Sequence, residues 1–418
     1  MTLVDEGLER SIELLRRAST SAGFVASPAF DHYAAVWARD AAISCLGALV
    51  SGDDDLIDTS VRSFISMSGA QTPLGQVAAV IGPDGWDWVE AGVVDATAWY
   101  VILGGAILEA TGDIEVISPH WPRVRAGVEW LRHQDVTASG LISAAPGTDW
   151  MDSSLTRSGR TLNLNLLYYW AARSAARISA ALGETAPIDP EDIGWRVDLL
   201  FWPSPGPGPE RLFRGSGAPV PDVFPHGATV AAYRDASERD RRHYVSHVIH
   251  AMFDESCDVL ANLVAVCLGL PGTERGGLIL DHLEDERASH PHPTRTWTRP
   301  ITADSTSSMR ILGVEEHLDP RWANPPHCYH NGGAWPFVGG FHVAALALSG
   351  RGDEATDLLE RLATANRVAA DGEWGFHEWL HGETGLPDGA PDQTWNAGMY
   401  LLAHTAVREP GRVRGLFT

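Results

Sequence analysis

Only four cysteines are spread over this 418-residue chain, and no two of them form a Cys-x-x-Cys pair. Cys45, Cys257, Cys267 and Cys328 each stand among apolar or small neighbours, the setting of a reduced, packed thiol. That excludes a disulfide framework and points to a cytoplasmic location. Basic charge is short as well: 31 Lys and Arg face 54 Asp and Glu, for a net charge of −23, and no basic cluster reverses the sign locally. Such a surface repels phosphate backbones and anionic lipid, so neither nucleic acid nor membrane is expected as a partner. No continuous apolar run opens the chain. MTLVDEGLERSIELLRR has acidic residues where an export signal needs basic ones, and its Leu8, Ile12 and Leu15 follow helical spacing. What the chain has in plenty is core material: 44% hydrophobic residues and 16 Trp, at a length that needs neither disulfide nor metal to hold a core.

Long apolar-periodic stretches alternate with short polar turns, and strand-like alternation is confined to patches at Gly75 to Val89 and Leu212 to Tyr233. The fold class is therefore all-α. Five turns share one pattern, in which a helix ends at Gly and an acidic residue opens the next helix. They are Ser51-Gly52-Asp53, Thr111-Gly112-Asp113, Leu182-Gly183-Glu184, Pro271-Gly272-Thr273-Glu274 and Arg351-Gly352-Asp353. With the N-terminal helix and one from Gln393 to Arg408, the count reaches about twelve helices, roughly 35 residues per helix with its loop. Six pairs suggest a closed double ring, an (α/α)6 barrel with short β-hairpin insertions in the loops, although an open solenoid gives the same count. One catalytic domain over residues 1–418 is expected. The Pro/Gly run from Pro203 to Glu210 then belongs to a loop insertion, residues 203–250, within that domain.

Carboxylates, Trp, Asn, His and Arg concentrate in six segments: VWARD, VVDATAW, GTDWMDS, FDESCD, YHNGGAWPF, and HEWLHGETG with DQTWNAG. Each stands before an apolar helix that opens a hairpin. An isolated Asp or Asn before a helix reads as an N-cap. Six such segments at alternate helices, each with an aromatic residue nearby, read as one shared pocket at the mouth of the ring. The types present suit a neutral, hydroxyl-rich guest. Arg and Asp clamp hydroxyl pairs, and the indoles of Trp37, Trp88, Trp99, Trp150, Trp335 and Trp395 offer flat faces to a sugar ring, with about half of them expected to line the pocket. Cleaving a glycosidic bond needs two carboxyls. Asp152 and Glu378 are the chosen pair, because both are embedded in aromatic and apolar neighbours that raise a carboxyl pKa. Asp149 competes for the acid role and Glu383, more weakly, for the base.

At these residues the chain resembles helical-barrel glycoside hydrolases, specifically the neutral/alkaline invertase family and the glucosidase domain of glycogen-debranching enzymes. GTDWMDSSLTRSGRTLNLNLLYYW resembles the debranching W-M-D motif and the helix after it. YHNGGAWPF resembles the invertase H-N-G-G-S-W-P segment, and EWLHGETG with QTWNAG resembles the pair of segments that carries the base. VWARD and VVDATAW resemble the R-D and V-D segments of the innermost sugar subsite. The resemblance implies an (α/α)6 barrel without cofactor or metal, with Asp152 as general acid, Glu378 as general base and hydrolysis with inversion. It implies an exo-acting enzyme on a small carbohydrate, an α-glucoside or a sucrose-like sugar, since relatives of this barrel type cleave glucosylglycerate, mannosylglycerate or trehalose. Sugar contacts are expected from Trp37, Arg39, Asp40, Trp88, Asp95, Trp99, Trp150, Asn163, His330, Asn331, Trp335, Gln393 and Trp395. Asn163 stands where the families have Glu, and Ser153 and Ser154 replace their Arg pair, both on the leaving-group side.

Two rival readings come from the same residues. His377-Glu378-Trp379-Leu380-His381 is a literal H-E-x-x-H, the zinc metallopeptidase signature, but it needs a helix that Gly375, Gly382, Gly385 and Pro387 would break. A sugar epimerase or isomerase on the same barrel would move protons with His residues such as His330 and His250, without the two carboxyls.

Overall fold

Six helices of this chain are buried over most of their length, and helices so rich in apolar residues are stable only when protein surrounds them. The clearest is α4 (Val94–Thr111), buried at every position from Val94 to Leu108. The others are α2 (Ala38–Ser51), α6 (Leu162–Leu182), α9 (Val259–Cys267), α11 (Pro336–Leu348) and α13 (Thr394–Arg408). The computed structural model describes residues 2–82, 85–87, 93–152, 157–206, 226–302, 304–305, 307, 324–369 and 373–418. Six further helices are amphipathic and bury one stripe each: α1 (Leu3–Ala18), α3 (Asp54–Gly69), α5 (Trp121–Arg132), α7 (Pro190–Phe201), α10 (Gly272–Asp285) and α12 (Gly352–Arg367). A single turn at Ile114–Ile117 precedes α5. Gly52, Gly112 and Gly183 close α2, α4 and α6 in the left-handed conformation, and Asp53 caps α3 by accepting from the Asp55 and Leu56 amides.

Packing order turns these helices into a ring. Helix α2 packs on α4, α4 on α6, α6 on α9, α9 on α11, α11 on α13, and α13 returns to α2. An open solenoid would leave the last of these contacts unmade. The outer helices cover the ring one by one, and α1, the first helix of the chain, covers α13, the last of the inner set. Closure rests on two glycines. A Cβ on Gly47 would come within 1.7 Å of the Gly398 carbonyl oxygen, and one on Gly398 within 2.5 Å of Ser44 backbone atoms. Backbone cannot step aside as a side chain does, so Gly47→Ala is expected to destabilise the fold by about 3 kcal/mol or more, at the upper end of overpacking costs. Urea denaturation of the variant checks this, and a loss below about 1 kcal/mol would show that the α2–α13 seam gives way easily.

Helix α14 (Pro410–Phe417) covers the end where the inner helices finish. Trp170 Nε1 donates to the Leu416 carbonyl at 2.9 Å, and the Phe417 ring lies 4.9 Å from that of Trp170. At the opposite end the loops form small antiparallel sheets. β3 (Val36–Trp37) pairs with β4 (Val80–Gly82), which pairs with β5 (Gly85–Asp87). β6 (Arg160–Thr161), β7 (His247–Ile249) and β8 (Met252–Asp254) form a second sheet, and β9 (Trp379–Leu380) pairs with β10 (Pro387–Asp388). A two-residue pair, β1 (Ser19–Thr20) with β2 (Gly23–Phe24), comes directly after α1.

The strand patch expected at Gly75 to Val89 holds β4 and β5. The patch at Leu212 to Tyr233 fares differently: residues 212–225 lie outside the described ones, and the remainder of the patch belongs to a helix, α8 (His226–Ser237). Alternating hydrophobicity over a few residues misled there, because Val230 and Tyr233 also share a helical face, three positions apart. Of the insertion 203–250, residues 207–225 likewise lie outside the described set.

Candidate active site

All six inner helices begin at one end of the ring, and side chains tie their starts together. Pairing of β3 with β4 fixes Trp37 just ahead of α2, so that Arg39 and Asp40 fall in its first turn. Arg39 Nε donates to Asp95 Oδ2 in the first turn of α4 at 2.5 Å, its Nη1 to Asp152 Oδ2 at 3.2 Å, and its Nη2 to the Asp149 carbonyl at 3.2 Å. The Val94 amide donates to the Thr148 carbonyl at 2.9 Å, which attaches the loop bearing Asp152 to α4. Arg157, fully buried, donates to Asp149 Oδ2 at 2.7 Å and also bonds Asp258, the N-cap of α9. Trp150 meets Trp335, ahead of α11, edge to face at 5.6 Å, and Phe337 stacks on Trp395 of α13 at 4.4 Å.

Within this end lies a cavity of about 120 Å3, lined by Trp37, Arg39, Asp40, Val93, Asp95 and Asp152 among others. It falls well short of the roughly 300–1,000 Å3 of sites for drug-sized ligands. Asp152 stands at its edge, with 37% of its side chain exposed. The surrounding protein raises the Asp152 carboxyl above the usual range, and the Arg39 guanidinium offsets part of that rise.

Glu378 reaches the site from the β9–β10 hairpin. Its amide donates to the Ala390 carbonyl at 2.9 Å, and the Ala390 amide donates to Glu378 Oε2 at 3.2 Å. Tyr33 Oη donates to Oε1 at 3.2 Å. Gly389 leaves room for this carboxyl, since a Cβ there would lie 2.6 Å from Oε2. Burial pushes Glu378 up to about 7, against the downward pull of the Ala390 and Tyr33 hydrogen bonds, and the charge of Asp152 adds to the rise. Burial likewise pushes Asp40 up to about 7, with the charges of Glu378 and Asp152 acting in the same direction against Arg39. The three carboxyls therefore share one field, and only some of them ionise together near neutrality.

Several buried polar atoms around these helix starts have no hydrogen-bond partner among the described residues: Trp37 Nε1, Asp95 Oδ1, Trp150 Nε1, Trp395 Nε1 and both amide atoms of Gln393. An unsatisfied buried group costs about 1–3 kcal/mol, so such a set is retained where something other than stability selects it, and these atoms can pair with the hydroxyls of a bound ligand.

The expected site residues sort by position. Trp37, Arg39, Asp40, Asp95 and Asp152 line the cavity. Trp150, His330, Trp335 and Trp395 form a buried aromatic layer in contact with one another, in which burial and the Arg39 charge hold the His330 imidazole neutral. Asn163 is buried in the first turn of α6. Trp99 is a correction: its ring packs edge to face on Trp170, 5.6 Å away, which in turn lies on Phe417, so it belongs to the barrel core. Asn331 is another. Its Oδ1 accepts from the Ile301 amide and its Nδ2 donates to the Ile301 and Asn324 carbonyls, so it stitches loops together and has no donor left for a sugar. Trp88, Ser153 and Ser154 lie outside the described residues.

Of the competing carboxyls, Asp149 holds its loop, bonding Arg157 and the Met151 amide, and Glu383 is exposed in a turn. Sequence reasoning missed Tyr33 and Arg157. The aromatic residues of Phe30-Asp31-His32-Tyr33 just ahead of VWARD were the signal that could have found Tyr33, whereas nothing local marks Arg157. The H-E-x-x-H segment contains β9 and no helix. Its His381 Nδ1 accepts from the Glu383 and Thr384 amides, so the metallopeptidase reading falls. His250 sits exposed at the turn between β7 and β8, unlike the buried His330.

A ring of six helical hairpins with paired carboxyls and indoles at its mouth is the architecture of carbohydrate-cleaving barrels, and the comparisons with known proteins agree. Residues 24–192 match the bacterial alpha-L-rhamnosidase 6 hairpin glycosidase domain, and residues 239–396 match the mannosylglycerate hydrolase MGH1-like glycoside hydrolase domain. The chain is a glycoside hydrolase of the six-hairpin barrel class. A probable alkaline/neutral invertase D from Arabidopsis thaliana is 22% identical over 92% of this chain and 78% of its own. Among solved structures, the GH63 mannosylglycerate hydrolase from Thermus thermophilus, in complex with Tris and D-glycerate, shares the fold with a TM-score of 0.64. It has 16% identity over 95% of this chain and 99% of that one. A GH78 family rhamnosidase of Bacillus sp. GL1 gives a TM-score of 0.58 and 19% identity, covering 96% of this chain and 34% of the other. No described helix is long and apolar enough to cross a membrane.

Proposed function

We propose that this enzyme is an inverting, exo-acting hydrolase of a small glycoside, an α-glucoside or sucrose-like sugar. The observation that carries the reading is the pairing of Asp152 and Glu378, two carboxyls with raised pKa values on separate loops, close enough that the charge of Asp152 acts on Glu378, with Asp152 at the edge of the cavity. Arg39, Asp40 and Asp95 hold the sugar hydroxyls, with Trp37 against the ring face. Asp152 gives its proton to the glycosidic oxygen as the bond from C1 to that oxygen breaks. Glu378 takes a proton from a water that forms the new C1–O bond on the opposite face. Tyr33 and the Ala390 amide keep the Glu378 carboxyl aimed at that water. Inversion puts the two carboxyls about 6.5–9.5 Å apart.

The small volume of the cavity supports an exo mode, and relatives named for mannosylglycerate and for invertase activity support a small leaving group. One catalytic unit over the whole chain is supported by α1 covering α13. Four unpaired cysteines support a cytoplasmic setting. Proton NMR of the enzyme with sucrose, trehalose, maltose, isomaltose and glucosylglycerate tests the reading, with and without chelator. The expected result is release of the inverted anomer from one of them, unaffected by chelator. Release of the retained anomer would replace the water with a covalent glycosyl intermediate, and epimerised product without cleavage would return the isomerase reading.

A further inference from the structure

A second cluster of reactive side chains lies among residues that do not line the sugar cavity. His243 precedes β7, Cys257 precedes α9 and His282 sits on α10. One ligand atom from each falls within 4.8 Å of the others. We propose that these three residues bind a divalent cation of the zinc class and so clamp three separate segments of the fold.

The chemistry of each residue fits. His243 Nδ1 lies 2.9 Å from the Tyr244 carbonyl, which can only accept, so Nδ1 carries the proton and Nε2 presents its lone pair. A carbonyl behind a ligating imidazole is the usual support for such a ligand. His282 Nε2 is buried without a hydrogen-bond partner, and the two imidazoles stand nearly parallel, 4.7 Å between centroids. The Cys257 thiol is free and 4% exposed. Tetrahedral zinc with bonds of about 2.0–2.3 Å holds its ligands about 3.3–3.7 Å apart, so the group closes by about an ångström on binding.

Two imidazoles and a thiolate form a donor set that favours zinc over the oxygen-seeking calcium and magnesium. The cluster opens on a cavity of about 480 Å3. Of the described carboxylates lining that cavity, Glu255 pairs with Arg241 and Glu286 with Arg299, which leaves Asp304 or water to complete the coordination. Binding replaces the thiol proton of Cys257, released to solvent, by a sulfur–metal bond. Because Cys257 adjoins Asp258, the partner of Arg157, the clamp would also stiffen the start of α9.

Titration of metal-free, full-length protein with Zn2+ by calorimetry and with Co2+ by absorption tests the site, and no glycoside is involved, so failure here leaves the hydrolase reading untouched. The expected result is one equivalent bound, a thiolate-to-cobalt charge-transfer band, and a thermal midpoint raised by Zn2+. Cys257→Ser should abolish the band, and His282→Gln should weaken Zn2+ binding at least tenfold. If Cys257→Ser does not fold, His282→Gln decides alone. Absence of the sulfur band in folded wild-type protein, or Zn2+ binding unchanged in His282→Gln, would overturn the proposal.

Discussion

Glu378→Gln and Asp152→Asn are each expected to lower kcat/KM by about 10²–10⁴-fold, the span contributed by a positioned general base or acid. The pH profile of the wild type separates their roles. With Glu378 held at about 7, a base there is protonated and idle in acid, which gives an acid limb that rises towards about 7, while Asp152, itself raised above the usual carboxyl range, must keep its proton to act and gives the limb that falls with rising pH. The two limbs belong to the coupled pair. Asp152→Asn should remove the alkaline limb from the residual activity, and Glu378→Gln the acid limb. Wild-type activity in either variant would sink the assignment.

Stability moves the other way, which shows that lost turnover is not lost folding. Folding raises the Glu378 pKa from 4.5 to about 7, so the folded state disfavours the ionised form. That penalty is absent below about pH 4.5 and complete above about pH 7. Glu378→Gln therefore matches wild type at pH 4 and is more stable by up to about 3 kcal/mol at pH 8, less whatever the lost acceptor of Tyr33 or Ala390 costs.

Arg157→Leu is the largest stability effect expected. It leaves Asp149 and Asp258 buried without their cation, and breaking a buried pair in this way costs about 3–5 kcal/mol. Activity should fall too, through kcat more than KM, because the Asp149 loop carries Trp150 and Asp152. Denaturant titration with single-turnover kinetics checks both. Arg351→Ala, which removes partly exposed pairs with Asp281 and Glu354, serves as the control and should stay within about 1 kcal/mol. An Arg157→Leu variant as stable as that control would mean that the triad can be protonated or hydrated at little cost.

Local pattern carried much of this protein. Helix boundaries were legible because each is set by neighbours in sequence: Gly52, Gly112 and Gly183 end helices, Asp53 and Asp113 cap the next ones, and the polar segments sit ahead of the helices richest in apolar residues. The pooling of Arg39 with Asp95 and Asp152 in one pocket was legible because charged groups set among indoles are costly unless paired. Trp99 and Asn331 were not, since their types suit a sugar site and only their tertiary partners, Trp170 for one and the Ile301 and Asn324 backbone for the other, assign them to core and loop. Ring against solenoid was also beyond the sequence. It depends on the contact of α13 with α2 across most of the chain, where Gly47 meets Gly398. The grouping of Tyr33 with Glu378, of Arg157 with Asp149 and Asp258, and of His243 with Cys257 and His282 depends likewise on tertiary closure. The sequence by itself determined the helices and the supply of polar groups at their starts, because turns, caps and amphipathic stripes act over a few residues. Only the tertiary structure decided which of those groups meet, because long-range packing brings distant segments within hydrogen-bond reach.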